Sequence, residues 1–218
     1  LAKLLPTFTT VEHVLVAGPE AGAADLDSLR TSGKQVHLYE DLLAAADPTF
    51  DWVVADENDA AAMCYTSGTT GQPKGVVYSH RSAYLHSMAV CAGNVGGLTW
   101  HDRVLPIVPM FHANAWGLPY AALLAGSSLL MPDRWLQAEP ITRFMVASRP
   151  TVSGAVPTVW NDVLGHLDQL VSAGTPADLS SLRLVLCGGS AVPVSLQKAL
   201  SERHGIEMRQ AWGMTETS

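Results

Sequence analysis

A chain of 218 residues, 48% hydrophobic and 15% charged, can bury one sizeable core or two smaller ones and does not have the composition of a disordered segment. Its net charge of −7, with no Lys/Arg cluster, excludes nonspecific nucleic-acid binding, because a polyanion needs a cationic face. Three cysteines, Cys64, Cys91 and Cys187, supply neither a disulfide framework nor zinc spacing, which suits a reducing cytoplasm.

Along the chain, apolar strand-like runs alternate with helix-like segments. That is the pattern of an α/β protein with largely parallel sheets flanked by helices. The predicted strands are His13 to Ala17, Gln35 to Leu38, Ala62 to Tyr65, Val76 to Tyr78, Val104 to Val108, Ser127 to Met131, Thr151 to Ala155, Leu182 to Cys187 and Glu207 to Ala211. The predicted helices are Ser79 to Val95, Trp116 to Leu124, Gln137 to Ser148, Pro157 to Ala173 and Pro193 to His204, several opening on Pro or Ser as helix starts prefer. The acidic, alanine-rich stretch Asp47 to Ala62 reads as a connector, so residues 1–58 are expected to be the tail of a first α/β portion and 59–218 a second.

No signal-peptide layout opens the chain, and its longest apolar stretch, Leu118 to Leu130, is broken by Gly126, Ser127 and Ser128. No transmembrane segment is expected; peripheral membrane contact and self-association stay open. Leu1 starts without a methionine, and the chain stops just after a polar segment, Gly213 to Ser218, that reads as part of a site. The expectation is a fragment of a longer protein.

The most informative segment is Tyr65-Thr66-Ser67-Gly68-Thr69-Thr70-Gly71-Gln72-Pro73-Lys74-Gly75, a hydroxyl-rich loop with one cation between two strand-like runs. Its glycines let backbone N–H groups turn inward, its hydroxyls add rotatable donors, and Lys74 adds a point charge. Such a loop can grip a polyphosphate. It is not a Walker A motif, because Pro73 stands where that motif needs a glycine before its lysine.

Four further segments add chemistry. Pro109 to Trp116 carries His112, Asn114 and two aromatics just after a strand, where open α/β sheets bind ligands, although a histidine among apolar residues is more often a core residue. Gly154 to Trp160 runs from a strand end into a helix and by itself is architecture. Leu186-Cys187-Gly188-Gly189-Ser190-Ala191 ends a strand on two glycines, which suit either a flat ligand or a tight turn. Arg209 to Glu216 combines an aromatic plane, a hydroxyl and a carboxylate, as a purine with a magnesium-bound phosphate requires.

Together, Tyr65 to Gly75, Pro109 to Trp116, Gly188 to Ala191 and Gln210 to Glu216 resemble the adenylate-forming enzymes: acyl-CoA synthetases, firefly luciferases and the adenylation domains of nonribosomal peptide synthetases. The wording of residues 109–126 and 154–160 is most similar to the medium- and long-chain fatty-acyl-CoA synthetases. The resemblance implies that Thr66, Ser67, Gly68, Thr69, Thr70, Gly71 and Lys74 hold the β- and γ-phosphates of ATP. Thr66 and Glu216 would help place Mg2+. Gly189, Ser190, Gln210 and Ala211 would border the adenine, Trp212 would stack on it, Thr215 would reach the α-phosphate, and Ala191 and Gly213 would also belong to the nucleotide site. His112 would lie near the acyl carboxylate, with Ala113 and Trp116 at the mouth of a fatty-acyl tunnel. The implied catalytic set is Lys74, His112, Thr215 and Glu216.

Trp212 and Ala211 depart from the commoner Tyr and Gly of that pattern. The partners implied are a fatty acid, ATP and CoA as co-substrate. The small C-terminal catalytic domain of the family, with its lysine, and the aspartate for the ribose hydroxyls would fall beyond Ser218, so the chain alone is not expected to turn over. Alternative readings are a fatty-acyl-AMP ligase that loads a carrier protein and a noncatalytic nucleotide-binding module.

Overall fold

A computed structural model of the chain describes residues 2–18, 23–66 and 71–217. It divides into two compact units, Leu1–Val54 and Ala55–Ser218. In the first, strands β1 (His13–Val16) and β2 (Gln35–Leu38) pair in parallel, with helices α1 (Ala23–Arg30) and α2 (Tyr39–Ala45) following them. Neither helix was expected from the sequence. At eight and seven residues they are too short to show a helical period.

The second unit opens on an antiparallel hairpin, β3 (Ala60–Thr66) and β4 (Lys74–Ser79). The end of the expected connector is therefore already strand, with a bulge between Ala60 and Ala62. Helix α3 (His80–Cys91) starts straight from the hairpin because the Ser79 hydroxyl accepts the Ser82 N–H and caps its first turn.

Five parallel strands follow: β5 (Arg103–Pro106), β6 (Ser128–Leu129), β7 (Val152–Ala155), β8 (Leu184–Cys187) and β9 (Glu207–Gln210), in the order β6-β5-β7-β8-β9. The segments α4 (Ala113–Trp116), α5 (Leu118–Ala125), α6 (Ala138–Ser148), α7 (Pro157–Ser172) and α8 (Val194–His204) connect them. All nine predicted strands are present, and the parallel sheet is flanked by helices as expected. The helix expected to begin at Trp116 instead begins at Leu118, behind the separate turn α4.

Alternation along the buried strands builds two cores. Leu105, Val185 and Cys187 pack with Ile141, Met145, Trp160 and Leu200 of α6, α7 and α8 on one face. Val104, Val152, Leu184 and Leu186 pack with Val90 of α3 and Leu118, Ala121 and Ala122 of α5 on the other.

The amino ends of three strands are tied by one carboxylate. Buried Asp102 accepts from Thr151 Oγ1 (2.6 Å), Arg183 Nε (3.2 Å), Thr99 N (2.9 Å) and Thr99 Oγ1 (3.1 Å). Burial works to raise its pKa, but the Thr151 and Thr99 hydrogen bonds and the Arg183 charge outweigh it and hold the carboxyl below its ordinary value. A carboxyl with a depressed folded pKa adds stability above its unfolded pKa, about 3.9, and that contribution is lost as pH falls through the folded value. Asp102→Asn is expected to cost about 1.5–3 kcal/mol at pH 7, and less below pH 4, in urea unfolding followed across pH. An equal cost at pH 7 and pH 3 would contradict this account.

Candidate functional site

In the order β6-β5-β7-β8-β9 the chain leaves β5 toward one sheet edge and later returns to build toward the other. The helix after β5 covers one face and the helix after β7 covers the opposite face, which makes the carboxyl ends of β5 and β7 the switch point at which open α/β sheets take ligands. Apart from the hairpin segment between β3 and β4, the expected site segments follow the ends of β5, β7, β8 and β9.

After β5 the chain leans across β7, where the N–H groups of Ile107 and Val108 both donate to Gly154 O at 3.0 and 3.2 Å. It then winds left-handed. Ala113, Asn114, Ala115 and Trp116 have φ of 41°, 42°, 55° and 55°, and Gly117 follows at 67°. Each non-glycine residue held so costs roughly 1–2 kcal/mol, which surrounding contacts must offset. Asn114 N and Nδ2 each donate to Cys64 Sγ at 3.3 Å, and Nδ2 also lies 3.3 Å from Met110 O. His86 Nε2 meets Trp116 O at 3.1 Å, and the His86 ring fills the space a Cβ on Gly117 would need.

The turn delivers the Trp116 indole across the strand ends. A Cβ on Gly154 would come 3.7 Å from Trp116 Cε3 and collide with Leu118 Cδ1 at 2.6 Å; one on Gly189 would sit 3.8 Å from Trp116 Cζ2. His112 is exposed, and its N–H donates to Pro109 O at 3.0 Å.

The hairpin register pairs Thr66 with Lys74, Cys64 with Val76 and Ala62 with Tyr78. Opposed residues share a face and side chains alternate, so Thr66, Cys64, Lys74 and Tyr78 lie on one face. Its inner part, Cys64 and Tyr78, is buried, and its outer part carries the exposed Lys74. Ser67, Gly68, Thr69 and Thr70 lie outside the described residues; Gly71, at φ 80°, makes the turn back into β4.

Tyr78 joins the hairpin to the last expected segment by donating its hydroxyl to Thr215 O at 2.6 Å. Burial, then the Cys64 thiol and then the Glu216 carboxylate push Tyr78 up to about 12, so it stays a protonated donor at neutral pH. The short 3-10 turn Thr215–Thr217 packs on β3 and is closed by Thr217 Oγ1, which accepts from Met214 N at 2.9 Å. At the strand ends, Ala211 N donates to Cys187 O at 2.7 Å, and a Cβ on Gly188 would strike Ala211 O at 2.6 Å. Glycine at 188 is therefore required by the backbone that follows the adjacent strand β9, a close approach that is neither a ligand nor a tight turn. Ser190, Ala191, Gln210, Ala211 and Gly213 are exposed, as is 79% of Trp212.

The fold thus brings Thr66 and Lys74 together, Trp116 beside Gly189, Gly188 beside Ala211, and Thr215 and Glu216 beside Tyr78. It does not bring Lys74 into an ion pair with Glu216 among the described residues; strand rise puts Lys74 about 13 Å along β4 from Tyr78. Sequence reading missed three joints. Cys64, Tyr78 and His86 all fall outside the expected site segments; only the Tyr78 hydroxyl in a buried run offered a signal.

The AMP-binding enzyme family matches residues 7–218. The chain belongs to that family. It is 46% identical over 210 residues to a long-chain-fatty-acid–CoA ligase of Thermus thermophilus, covering 96% of this chain and 35% of that protein. It is 40% identical over 215 residues to a 3-methylmercaptopropionyl-CoA ligase of Ruegeria pomeroyi, covering 98% of this chain and 38% of the relative. Among solved structures, the inhibitor-bound N-terminal domain of FACL13 from Mycobacterium tuberculosis superposes with a TM-score of 0.73 at 25% identity, covering 93% of this chain and 50% of that one. The chain spans well under half the length of these two curated relatives.

Proposed function

We propose that the chain forms the ATP- and acyl-binding part of a ligase that activates a fatty acid as its acyl-adenylate and then passes the acyl group to CoA. The observation that carries this reading is the 2.6 Å bond from Tyr78 to Thr215, which joins the lysine-bearing hairpin to the acidic turn that follows β9. Family membership and the two CoA-ligase relatives support it.

In the first step a carboxylate oxygen bonds to the α-phosphorus while the bond to pyrophosphate breaks, so two anions must meet. Lys74, Thr66 and the loop amides from Ser67 to Gly71 cancel phosphate charge, and Thr215 holds the α-phosphate. Gly189, Ser190, Ala191, Gln210, Ala211 and Gly213 border the adenine, with Trp212 stacked on it. His112, Ala113 and Trp116 orient the acyl carboxylate.

A magnesium ion fits this donor set. Thr66 offers a hydroxyl oxygen and Glu216 a carboxylate, and Mg2+ is commonly held by one or two carboxylates together with substrate phosphates. Thr66 and Glu216 would hold it, and when bound it polarises phosphate oxygens. Free Cys64, Cys91 and Cys187 support a reducing, cytoplasmic setting, and no described helix is long and apolar enough to cross a membrane.

The test is carboxylate-dependent ATP–pyrophosphate exchange and CoA-dependent AMP release by the complete protein that carries this chain, with straight-chain acids of increasing length, 3-(methylthio)propionate, benzoate and amino acids. Aliphatic acids are expected to be used with CoA. Activity confined to aromatic or amino acids would reject the fatty-acid assignment, and acyl transfer only to a phosphopantetheine carrier would reject CoA as acceptor.

A further inference from the structure

We propose that Cys64 and Asn114 are a positioning pair: the thiol on the phosphate hairpin holds the left-handed turn that presents His112 and Trp116, and so sets the acyl side of the site. This rests on the ligase reading above.

Ala113 and Ala115 are strong right-handed helix formers, while Gly117 and Pro119 end that tendency at the start of α5. Four successive non-glycine residues wind left-handed instead. Asn114 is the side chain among them that best tolerates that conformation, and it is also the one anchored. Its main-chain N–H and its amide both donate to the same sulfur at 3.3 Å. A thiol is a weak acceptor, so two donors converging on one at 3% exposure make a specific arrangement.

The amide orientation this fixes has a second consequence. Asn114 Oδ1 is buried without a hydrogen-bond partner, and Asn114 borders a cavity of about 20 Å³ shared with Tyr78, His86 and Tyr120. That is room for about one water among polar neighbours. The turn is therefore held from the hairpin on one side and from His86 on the other. Cys64 lies two residues before Thr66, while Asn114 lies two after His112 and two before Trp116. One contact thus sets the distance between the nucleotide-side and acyl-side residues, and releasing it should disturb the acyl side first, because the hairpin ladder persists without it.

Cys64→Ala, Asn114→Ala and the double variant would be compared in the complete protein by steady-state kinetics, thermal melting and amide hydrogen exchange. Each single variant is expected to raise KM for the carboxylic acid about tenfold or more, with KM for ATP nearly unchanged and Tm lowered by the loss of a buried contact. The double variant should be no worse than the poorer single one, since both break the same contact. Cys64→Ser, which keeps an acceptor, should retain most of the wild-type acyl KM. Independently of activity, the Asn114 amide should exchange faster in Cys64→Ala.

Additive losses, an equal rise in KM for ATP, or unchanged protection of the Asn114 amide in Cys64→Ala would overturn the pairing. If the single alanine variants fail to fold, Cys64→Val, which fills the space without offering an acceptor, decides: a tenfold raised acyl KM with lost Asn114 protection supports the pairing, and a wild-type acyl KM or kept protection overturns it. A wild-type protein without carboxylate-dependent exchange would strike the ligase reading, and the exchange protection would still decide the pairing.

Discussion

Replacing Lys74 with alanine is expected to lower kcat/KM for adenylate formation in the complete protein by about 10²–10³-fold, the scale for removing one preorganised charge-stabilising donor. Lys74 opens β4 directly opposite Thr66, on the hairpin face that continues from buried Cys64 and Tyr78. In a chain of net charge −7 a triphosphate needs a local cation, and Lys74 is the one carried by this hairpin. Pro73 leaves the preceding position without an N–H, and Gly75 is exposed. Because Lys74 is itself exposed, the substitution should leave Tm within a degree or two, so lost activity would not reflect unfolding. Exchange kinetics at several ATP concentrations, with melting as the control, give the readout. A Lys74→Ala protein with wild-type kinetics would remove the hairpin from the reaction.

Glu216→Gln should cost about 10²-fold in the same assay and raise the magnesium concentration needed for half-maximal rate. The carboxylate stands in a short turn whose position is set by the neighbouring Tyr78–Thr215 bond, and glutamine keeps the size of the side chain while removing its charge. The loss should therefore come from the site and not from the turn. An unchanged magnesium dependence would exclude Glu216 as a metal ligand, whatever the change in rate. Because Glu216 is among the groups that raise Tyr78, the variant should also lower the Tyr78 pKa, which ultraviolet titration of tyrosine can follow.

Much of this molecule could be read before its structure was known. The nine strands were visible because their residues are β-branched or apolar and bounded by Gly, Pro or Ser, and because a strand buried on both faces reads as a continuous apolar run. The helix starts at Ser79, Pro157 and Pro193 were visible from capping chemistry. The two short helices of the first unit were not, since seven or eight residues show barely two turns of periodicity.

The turn at Ala113–Trp116 was not legible locally, and the helix expected to open at Trp116 starts two residues later. Local propensity there favours right-handed helix, yet contacts from Cys64 and His86, fifty and thirty residues away in sequence, hold the opposite hand. The two glycines at 188 and 189 also divide on inspection. Gly188 is required by the Ala211 carbonyl, whereas Gly189 lies beside Trp116 with a left-handed φ of 80°.

By itself the sequence determined the alternation of strand and helix and the chemistry of each site segment, because both depend on residue type and near-neighbour spacing. Which segments meet was decided only by the tertiary structure. The strand order places the ends of β5 and β7 side by side at the switch point of the sheet, and the hairpin register puts Thr66, Cys64, Lys74 and Tyr78 on one face. The bonds from Asn114 to Cys64 and from Tyr78 to Thr215 span 50 and 137 residues. Contacts at such separations depend on how sheet and helices pack as a whole, and no local pattern in the chain encodes them.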